Sequence, residues 1–94
     1  MTTIAQARSG SAAGVDLSRT FIRRTDLSGA NLAGANLSYA DCTNAIFRGA
    51  DFKDAILEGT ILKGADLSGA LNLTQAQIRQ AIIDERTVLP EGLR

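Results

Sequence analysis

An uninterrupted five-residue repeat constrains this 94-residue chain more than any other feature of its sequence. Between residues 15 and 69 the chain divides into eleven units, which read VDLSR, TFIRR, TDLSG, ANLAG, ANLSY, ADCTN, AIFRG, ADFKD, AILEG, TILKG and ADLSG. The third position of every unit is apolar, and the first position is small. A degraded twelfth unit, ALNLT, places Asn72 at its third position, so the pattern weakens there.

A period of five fits neither of the two common regular structures. On an α-helix, successive apolar positions would step by roughly 140° around the axis and form no stripe. On a continuous strand, residues five apart would face opposite sides of the sheet. A short extended segment followed by a corner resolves both conflicts. The first and third residues then point inward, the second points outward, and the last two turn the chain.

The positions of glycine support this division of each unit. Every glycine between residues 15 and 69 occupies a fifth position, and Asn44 and Asp54 occupy two further fifth positions. Glycine, asparagine and aspartate are the residue types that tolerate tight backbone corners. Units of this kind bury their apolar faces only by stacking on one another, so the repeat predicts a solenoid.

The units ANLAG, ANLSY, ADFKD and ADLSG resemble the pentapeptide-repeat family, whose tandem signature is A-(D/N)-L-x-x. The resemblance implies an all-β solenoid, namely a short right-handed quadrilateral β-helix with four pentapeptides per coil. Residues twenty apart would then stack, and eleven units would make about three coils, with a body roughly 14 Å tall. The expected β-helix covers residues 15–74. Residues 1–14 lack the repeat and are expected to form either an N-terminal arm or a partial cap, with Ile4 as the only large apolar anchor.

Residues 75–94 change pattern and predict a C-terminal helix and a closing segment. Thr74 followed by Gln77 has the spacing of a capping box, and Ile78, Ala81 and Ile82 would lie on one helical face. The tail LTQAQIRQAIIDERTVLPEGL also resembles the C-terminal end of many members of the family. We therefore predict an α-helical cap on the last coil. Ile78 and Ile82 are its candidate contacts, either with the core or with a second subunit.

Two sets of outward-facing residues are candidates for an interaction surface. Phe21 and Ile61 fall on one face of the twenty-residue frame, and Ile56 falls on the adjoining face. Such a cluster can mark an interface, but scattered surface apolar residues are also common, and a terminal segment could cover them. The second set is basic and comprises Arg19, Arg23 and Arg24. A phosphate site or a solvated basic face would both fit these arginines, and the neighbouring aspartates favour the solvated face.

Catalysis is not expected, and neither is a cofactor or a metal site. The chain has no histidine, which is the commonest general base and metal ligand. Cys42 occupies a third position, where a buried structural thiol fits better than a nucleophile. The carboxylates repeat at corner spacing and converge on no cleft. The sequence therefore predicts no catalytic residues.

The sequence predicts a non-catalytic structural or protein-binding module whose protein partner it does not identify. The alternative is a modulator of DNA gyrase that imitates DNA, as some family members do. Ten basic and ten acidic residues cancel, and this neutral, short chain lacks the regular negative charge that such mimicry needs. The same balance argues against nucleic acid as a partner. A homodimer through one solenoid end stays open. A single cysteine and the lack of a secretory or membrane-spanning apolar run favour a cytoplasmic location.

Overall fold

A computed structural model describes residues 12–93 of the chain as a four-sided coil of parallel β-bridges. Each second position of a unit pairs with the second position twenty residues later, as in Asp16 with Asn36 and Asn36 with Ile56. Four pentapeptides therefore complete one coil, as the resemblance implied. We number the four sides by their second positions: face 1 (Asp16, Asn36, Ile56), face 2 (Phe21, Asp41, Ile61), face 3 (Asp26, Ile46, Asp66) and face 4 (Asn31, Asp51, Leu71).

The rungs of the ladder are single bridges rather than long strands. On face 2, the amide of Asp41 donates to the carbonyl of Thr20 at 2.9 Å, and the Asp41 carbonyl accepts from the amide of Ile22 at 2.7 Å. The same two bonds recur on the other faces and coils. Each second-position residue thus uses both of its backbone groups toward the preceding coil. This direction decides which backbone groups of a rung face the preceding coil and which face the next one.

The corners use the left-handed backbone region at the fifth position of every unit. The six repeat glycines adopt positive φ there, and so do Asn44 and Asp54, as predicted. Arg19, Arg24 and Tyr39 also adopt positive φ, with values of 56–60°. The left-handed region costs a residue with a Cβ about 1–2 kcal/mol, so these three side chains are held there by the coil around them.

The core consists of the inward first and third positions. All third positions from Leu17 to Leu67 are buried, which confirms the assignment made from the repeat. Phe47 and Phe52 meet edge to face inside the solenoid, with ring centroids 5.3 Å apart. Thr60 is the one buried polar residue among residues 12–93, and its hydroxyl donates to the Leu37 carbonyl at 2.7 Å. The interior of the described chain is therefore filled by side chains.

Polar second positions stabilise the corners that follow them. Each accepts a hydrogen bond at its side-chain oxygen from the backbone amide two residues later, at 2.9–3.1 Å. The residues that do so are Asp16, Asp26, Asn31, Asn36, Asp41, Asp51 and Asp66. These bonds satisfy amides in the turn that have no partner in the same coil. The frequent aspartate and asparagine at the second position are thus explained by these hydrogen bonds.

The ladder begins earlier in the chain than the repeat suggested. Ala12 is buried, and its amide donates to the Asn31 carbonyl at 2.8 Å, while the amide of Gly14 donates to the Ala33 carbonyl. The expected boundary between residues 14 and 15 is therefore wrong by at least three residues. The repeat was not recognised in this stretch because Ala12 occupies the third position, where the other units have a large apolar residue. The choice between an arm and a cap for residues 1–11 lies outside the described residues.

After face 4 of the third coil, the chain forms helix α1, Gln75–Gln80. Its capping box is present as predicted, because Thr74 and Gln77 exchange side-chain to backbone hydrogen bonds. Ile78 is the buried residue of the helix and joins the core cluster. Helix α1 takes the place that a fourth rung would occupy on face 1, and the Gln80 carbonyl accepts from the amide of Gly59 at 2.8 Å.

Beyond the helix, the tail rejoins the β-ladder on two faces. Ile82 pairs with Ile61 on face 2, and Val88 pairs with Asp66 on face 3. The prediction that Ile82 would lie under the core beside Ile78 is therefore wrong. The helix ends at Gln80, and Ile82 is an outward ladder residue with 44% of its surface exposed. Ladder hydrogen bonds to Thr60 and Leu62 replace the helical periodicity at this point.

Candidate interaction surfaces

The outward apolar residues of face 2 form a column that is interrupted by one aspartate. From the first coil to the tail, the column contains Phe21, Asp41, Ile61 and Ile82. Phe21 is 78% exposed, whereas Ile61 is half-buried. The structure thus brings Phe21 and Ile61 to one face, as predicted, but Asp41 lies between them. Ile56 lies on adjoining face 1 and is 45% exposed, so the three do not form one continuous patch.

Exposed apolar side chains also lie outside the predicted cluster. Leu71 on face 4 is 54% exposed, and the tail adds two more exposed residues, Ile83 and Val88. Leu71 broke the polar pattern of the second positions, which was a usable signal. Val88 carried no such signal, because its outward position depends on a ladder contact with Asp66 across twenty-two residues. Exposed apolar surface is therefore spread over all four faces, and only Phe21 is almost fully accessible.

The three arginines flank the first rung of face 2. The Arg19 guanidinium lies over the Tyr39 ring, 4.8 Å from the ring centroid, in a cation–π contact. Arg23 is 3.8 Å from the Asp41 carboxylate, which is a weak, exposed ion pair. No ion pair of Arg24 is seen among residues 12–93. The structure thus gathers Phe21 and these arginines at one edge of the solenoid.

Tyr39 anchors the corner between faces 1 and 2. Its hydroxyl donates to the Glu58 carboxylate at 3.1 Å, and its ring covers Gly59 in the coil below. A Cβ on Gly59 would clash with that ring. The column Arg19, Tyr39 and Gly59 is therefore a stacked unit that holds Arg19 in place. Sequence reasoning missed this contact, because a tyrosine at a corner position has no typical role.

Gly59→Ala should destabilise the fold more than Gly49→Ala. Both glycines have positive φ, 65° and 68°, but a Cβ on Gly49 meets no atom within 4 Å. We expect Gly49→Ala to lower the free energy of unfolding by about 1–2 kcal/mol, the cost of alanine in the left-handed region. Gly59→Ala should cost about 1 kcal/mol more, since the Tyr39 ring must move.

Chemical denaturation of both variants in wild-type and Tyr39→Ala backgrounds measures this coupling. The difference between the two glycine sites should vanish once the ring is removed. A difference that persists without the ring would show that the Tyr39 contact is not its cause.

Hydrogen bonds keep several aspartates of the ladder ionised. The Arg48 guanidinium donates to Asp66 at 2.6 Å, and this bond holds the pKa of Asp66 below its usual value of 3.8. The Thr43 hydroxyl does the same for the pKa of Asp41. The Asn72 amide lowers the pKa of Asp51. The carboxylates are thus committed to local hydrogen bonds and do not gather at any acid–base site in the described chain.

Acidification should destabilise the protein through these aspartates. Because their pKa values are lower in the folded state, the unfolded chain binds more protons as the pH falls. Stability is therefore complete above the usual pKa of 3.8 and is lost as the pH falls below it. We expect the melting temperature to fall between about pH 5 and pH 2.5. The Asp66→Asn variant should be less stable at pH 7, and its melting temperature should fall less steeply with decreasing pH. An unchanged dependence of the melting temperature on pH would exclude Asp66 as a contributor.

Other chemical features of the described residues offer no reactive site. Cys42 is fully buried, as its inward third position predicted, and burial raises the pKa of its thiol to about 12. Residues 12–93 contain no cluster of three metal-ligating side chains. Within the same residues, no helix is long and apolar enough to cross a membrane. A shallow groove of about 490 Å³ lies between Lys53 and Gln77, and Gln77 already donates to the carbonyls of Phe52 and Ala55.

Sequence comparison finds one matching family profile. The profile of pentapeptide repeats matches with eight copies, over residues 13–49, 25–64 and 45–84. These ranges together span most of the chain. No curated protein sequence matches it significantly.

The solved structures that share the fold include two pentapeptide repeat proteins. A pentapeptide repeat protein from Nostoc is 32% identical, with 97% of this chain and 81% of that chain covered and a TM-score of 0.73. A pentapeptide repeat protein from the thylakoid lumen of Arabidopsis thaliana is 28% identical, with 95% of this chain covered and a TM-score of 0.68. The alignment covers 64% of the Arabidopsis protein, so this chain spans less than two thirds of its length.

Proposed function

Because the chain belongs to the pentapeptide-repeat family, whose members form right-handed quadrilateral β-helices, we propose that it is a non-catalytic protein-binding module. The proposed binding surface is the first rung of face 2, formed by Phe21 and the neighbouring Arg19, Arg23 and Arg24. Ile61 and Ile82 lie further along the same face, beyond Asp41.

The exposure of Phe21 is the observation that carries the proposal. A phenylalanine that is 78% exposed gains nothing from the core, and it lies in an ordered rung rather than in a loop. Aromatic and arginine side chains are enriched at protein interfaces, and both occur together here. The ten basic and ten acidic residues of the chain cancel, and the ion pair of Arg23 with Asp41 reduces the basic charge of this surface, which favours a protein partner over a nucleic acid.

A comparison of two surface variants tests this proposal. Phe21→Asp changes face 2, and Leu71→Asp places the same charge on face 4, on the opposite side of the solenoid. Both side chains are exposed, so both variants should fold with melting temperatures close to that of the wild type. We expect proteins of the native host to be crosslinked by wild type and by Leu71→Asp but not by Phe21→Asp. Equal crosslinking by all three proteins would reject face 2 as the binding surface.

A supercoiling assay with DNA gyrase is the matching test of the alternative function. We expect no inhibition and no protection of the enzyme, since the ten acidic residues are balanced by ten basic ones.

A further inference from the structure

The tail, residues 73–93, is attached to the third coil more by hydrogen bonds than by buried side chains. Only Ile78 and Pro90 are buried among these residues. Three large apolar side chains, those of Ile82, Ile83 and Val88, are 38–46% exposed. The coils, in contrast, bury an apolar side chain at every third position from residue 17 to residue 67. Segments with few buried apolar contacts open at a lower free energy than the rest of a fold, so the tail should open before the coils do.

The ladder bonds of the tail are confined to two of the four faces. On faces 2 and 3, Ile82 and Val88 each form both backbone bonds of a rung. On face 1, the only backbone bond from the third coil to the tail within residues 12–93 joins the Gly59 amide to the Gln80 carbonyl. Bonds between the second and third coils occur on all four faces. The tail is thus a partial coil with fewer points of attachment.

The chain leaves the third coil at Asn72, where its backbone enters the left-handed region with a φ of 59°. The other positive-φ residues between positions 14 and 69 all occupy fifth positions, whereas Asn72 occupies a third position. The Asn72 side chain is exposed, and its amide donates to the Asp51 carboxylate at 2.9 Å. A residue with a Cβ disfavours this backbone conformation. Closure of the tail onto its own coil therefore strains the connection at Asn72.

We propose that the tail is an exchangeable cap that opens at Asn72, and that the third coil accepts the tail of a second copy in its place. Swapped copies retain every contact between a tail and a third coil, because the two chains are identical. The strained conformation at Asn72 is not required in the swapped form, since the chain runs on to another molecule there. Strained hinges favour domain swapping for this reason. The inference concerns the C-terminal end and does not depend on the function proposed for face 2.

Side chains of the tail make it a better occupant of this edge than an unrelated extended segment. The Asp84 carboxylate accepts from the Gly64 amide at 3.0 Å, and the Thr87 hydroxyl donates to the Leu62 carbonyl at 2.8 Å. Gln77 donates to two carbonyls at the corner between faces 4 and 1. A segment of another sequence can pair with the ladder groups of the coil, but it does not supply these three side chains. A second copy of the tail supplies all of them.

Amide hydrogen exchange by NMR on the full chain tests the opening step. The amides of Leu62 and Leu67 donate to the tail, whereas those of Cys42 and Phe47 donate from the equivalent positions one coil earlier. We expect Leu62 and Leu67 to exchange at similar rates, at least about tenfold faster than Cys42 and Phe47. Equal protection of the two pairs would mean that the tail opens only when the whole fold does, which would overturn the proposal.

A labelled peptide of residues 73–94 tests whether the third coil accepts a tail from another molecule. Fluorescence anisotropy with the full chain should show slow binding, at a rate that stops rising at high peptide concentration, because the resident tail must open first. The same peptide with Ile78→Asp should bind at least about tenfold more weakly, since it buries a charge in place of an apolar side chain. No binding of the unmodified peptide, after incubation long enough for the Leu62 amide to exchange, would overturn the proposal.

Two substitutions of the hinge test the role of its backbone conformation. Asn72→Gly and Asn72→Pro both remove the hydrogen bond to Asp51, but glycine readily adopts a φ of 59° and proline does not. In size-exclusion chromatography with light scattering, the dimer fraction of the proline variant should exceed that of the glycine variant by about tenfold or more. Equal dimer fractions, or dimers in which the Leu62 amide is no less protected than Cys42, would overturn the proposal. If the proline variant does not fold, the peptide experiment on the wild-type chain decides.

Discussion

A chain that ends at Asn72 should no longer form a stable soluble monomer. The third coil ends in backbone groups that point in the direction of a fourth coil, and the tail satisfies several of them. Ile82 and Val88 supply ladder bonds to the amides of Leu62 and Leu67. Truncation would expose these groups together with the base of the apolar core. Unpaired ladder edges of this kind promote association with other chains.

Side chains of the tail also form hydrogen bonds with backbone groups of the third coil. Gln77 donates to the carbonyls of Phe52 and Ala55 at 2.8 and 2.9 Å, and Asp84 accepts from the amide of Gly64 at 3.0 Å. The Thr87 hydroxyl donates to the Leu62 carbonyl at 2.8 Å. We propose that the tail is therefore the cap of the solenoid, in which polar side chains replace the rung that a further coil would provide.

Thermal melting with light scattering on the truncated chain measures the effect. We expect aggregation or an unfolded spectrum, because small domains have only about 5–15 kcal/mol of stability to lose. Gln77→Glu is a finer probe, since it removes the donor and places a carboxylate beside two carbonyls. It should cost about 1–3 kcal/mol, whereas Gln80→Glu, on an exposed residue of the same helix, should be nearly neutral. A soluble truncated monomer that melts like the full chain would dismiss the capping role.

The sequence predicted the parts of this fold that depend on local geometry. Inward third positions such as Cys42 and Phe47 follow directly from a period of five, because only one arrangement of each unit buries them all. The capping box was equally local, since it is defined by two residues three positions apart, Thr74 and Gln77. The structure agrees with both of these local assignments.

Positions decided by contacts between distant segments could not be predicted in the same way. The spacing of Ile82 from Ile78 suited a helical face, but the helix ends first because Ile82 finds ladder partners on Thr60 and Leu62. The role of Tyr39 depends on Gly59, which lies beneath its ring in the next coil.

Phe47→Ala should be among the most destabilising single substitutions in the core. Phe47 is fully buried and packs edge to face against Phe52, with ring centroids 5.3 Å apart. Removal of a buried aromatic ring typically costs about 3–5 kcal/mol, through lost burial and the cavity left behind. The solenoid is too narrow to collapse around that cavity, because its backbone is fixed by ladder bonds on all four faces. A loss of this size should lower the melting temperature by more than about 10 °C.

Phe21→Ala is the matched control, since it makes the same chemical change on the outside of the coil. Phe21 is 78% exposed, so its removal should change the free energy of unfolding by no more than about 0.5 kcal/mol. Urea denaturation of the two variants gives both values on one scale. A large loss at Phe21 would mean that another part of the chain packs on its ring, which would also remove the basis for a partner surface there. A large loss at Phe47 alone is the result expected if position within the pentapeptide decides whether a ring stabilises the fold or remains available for binding.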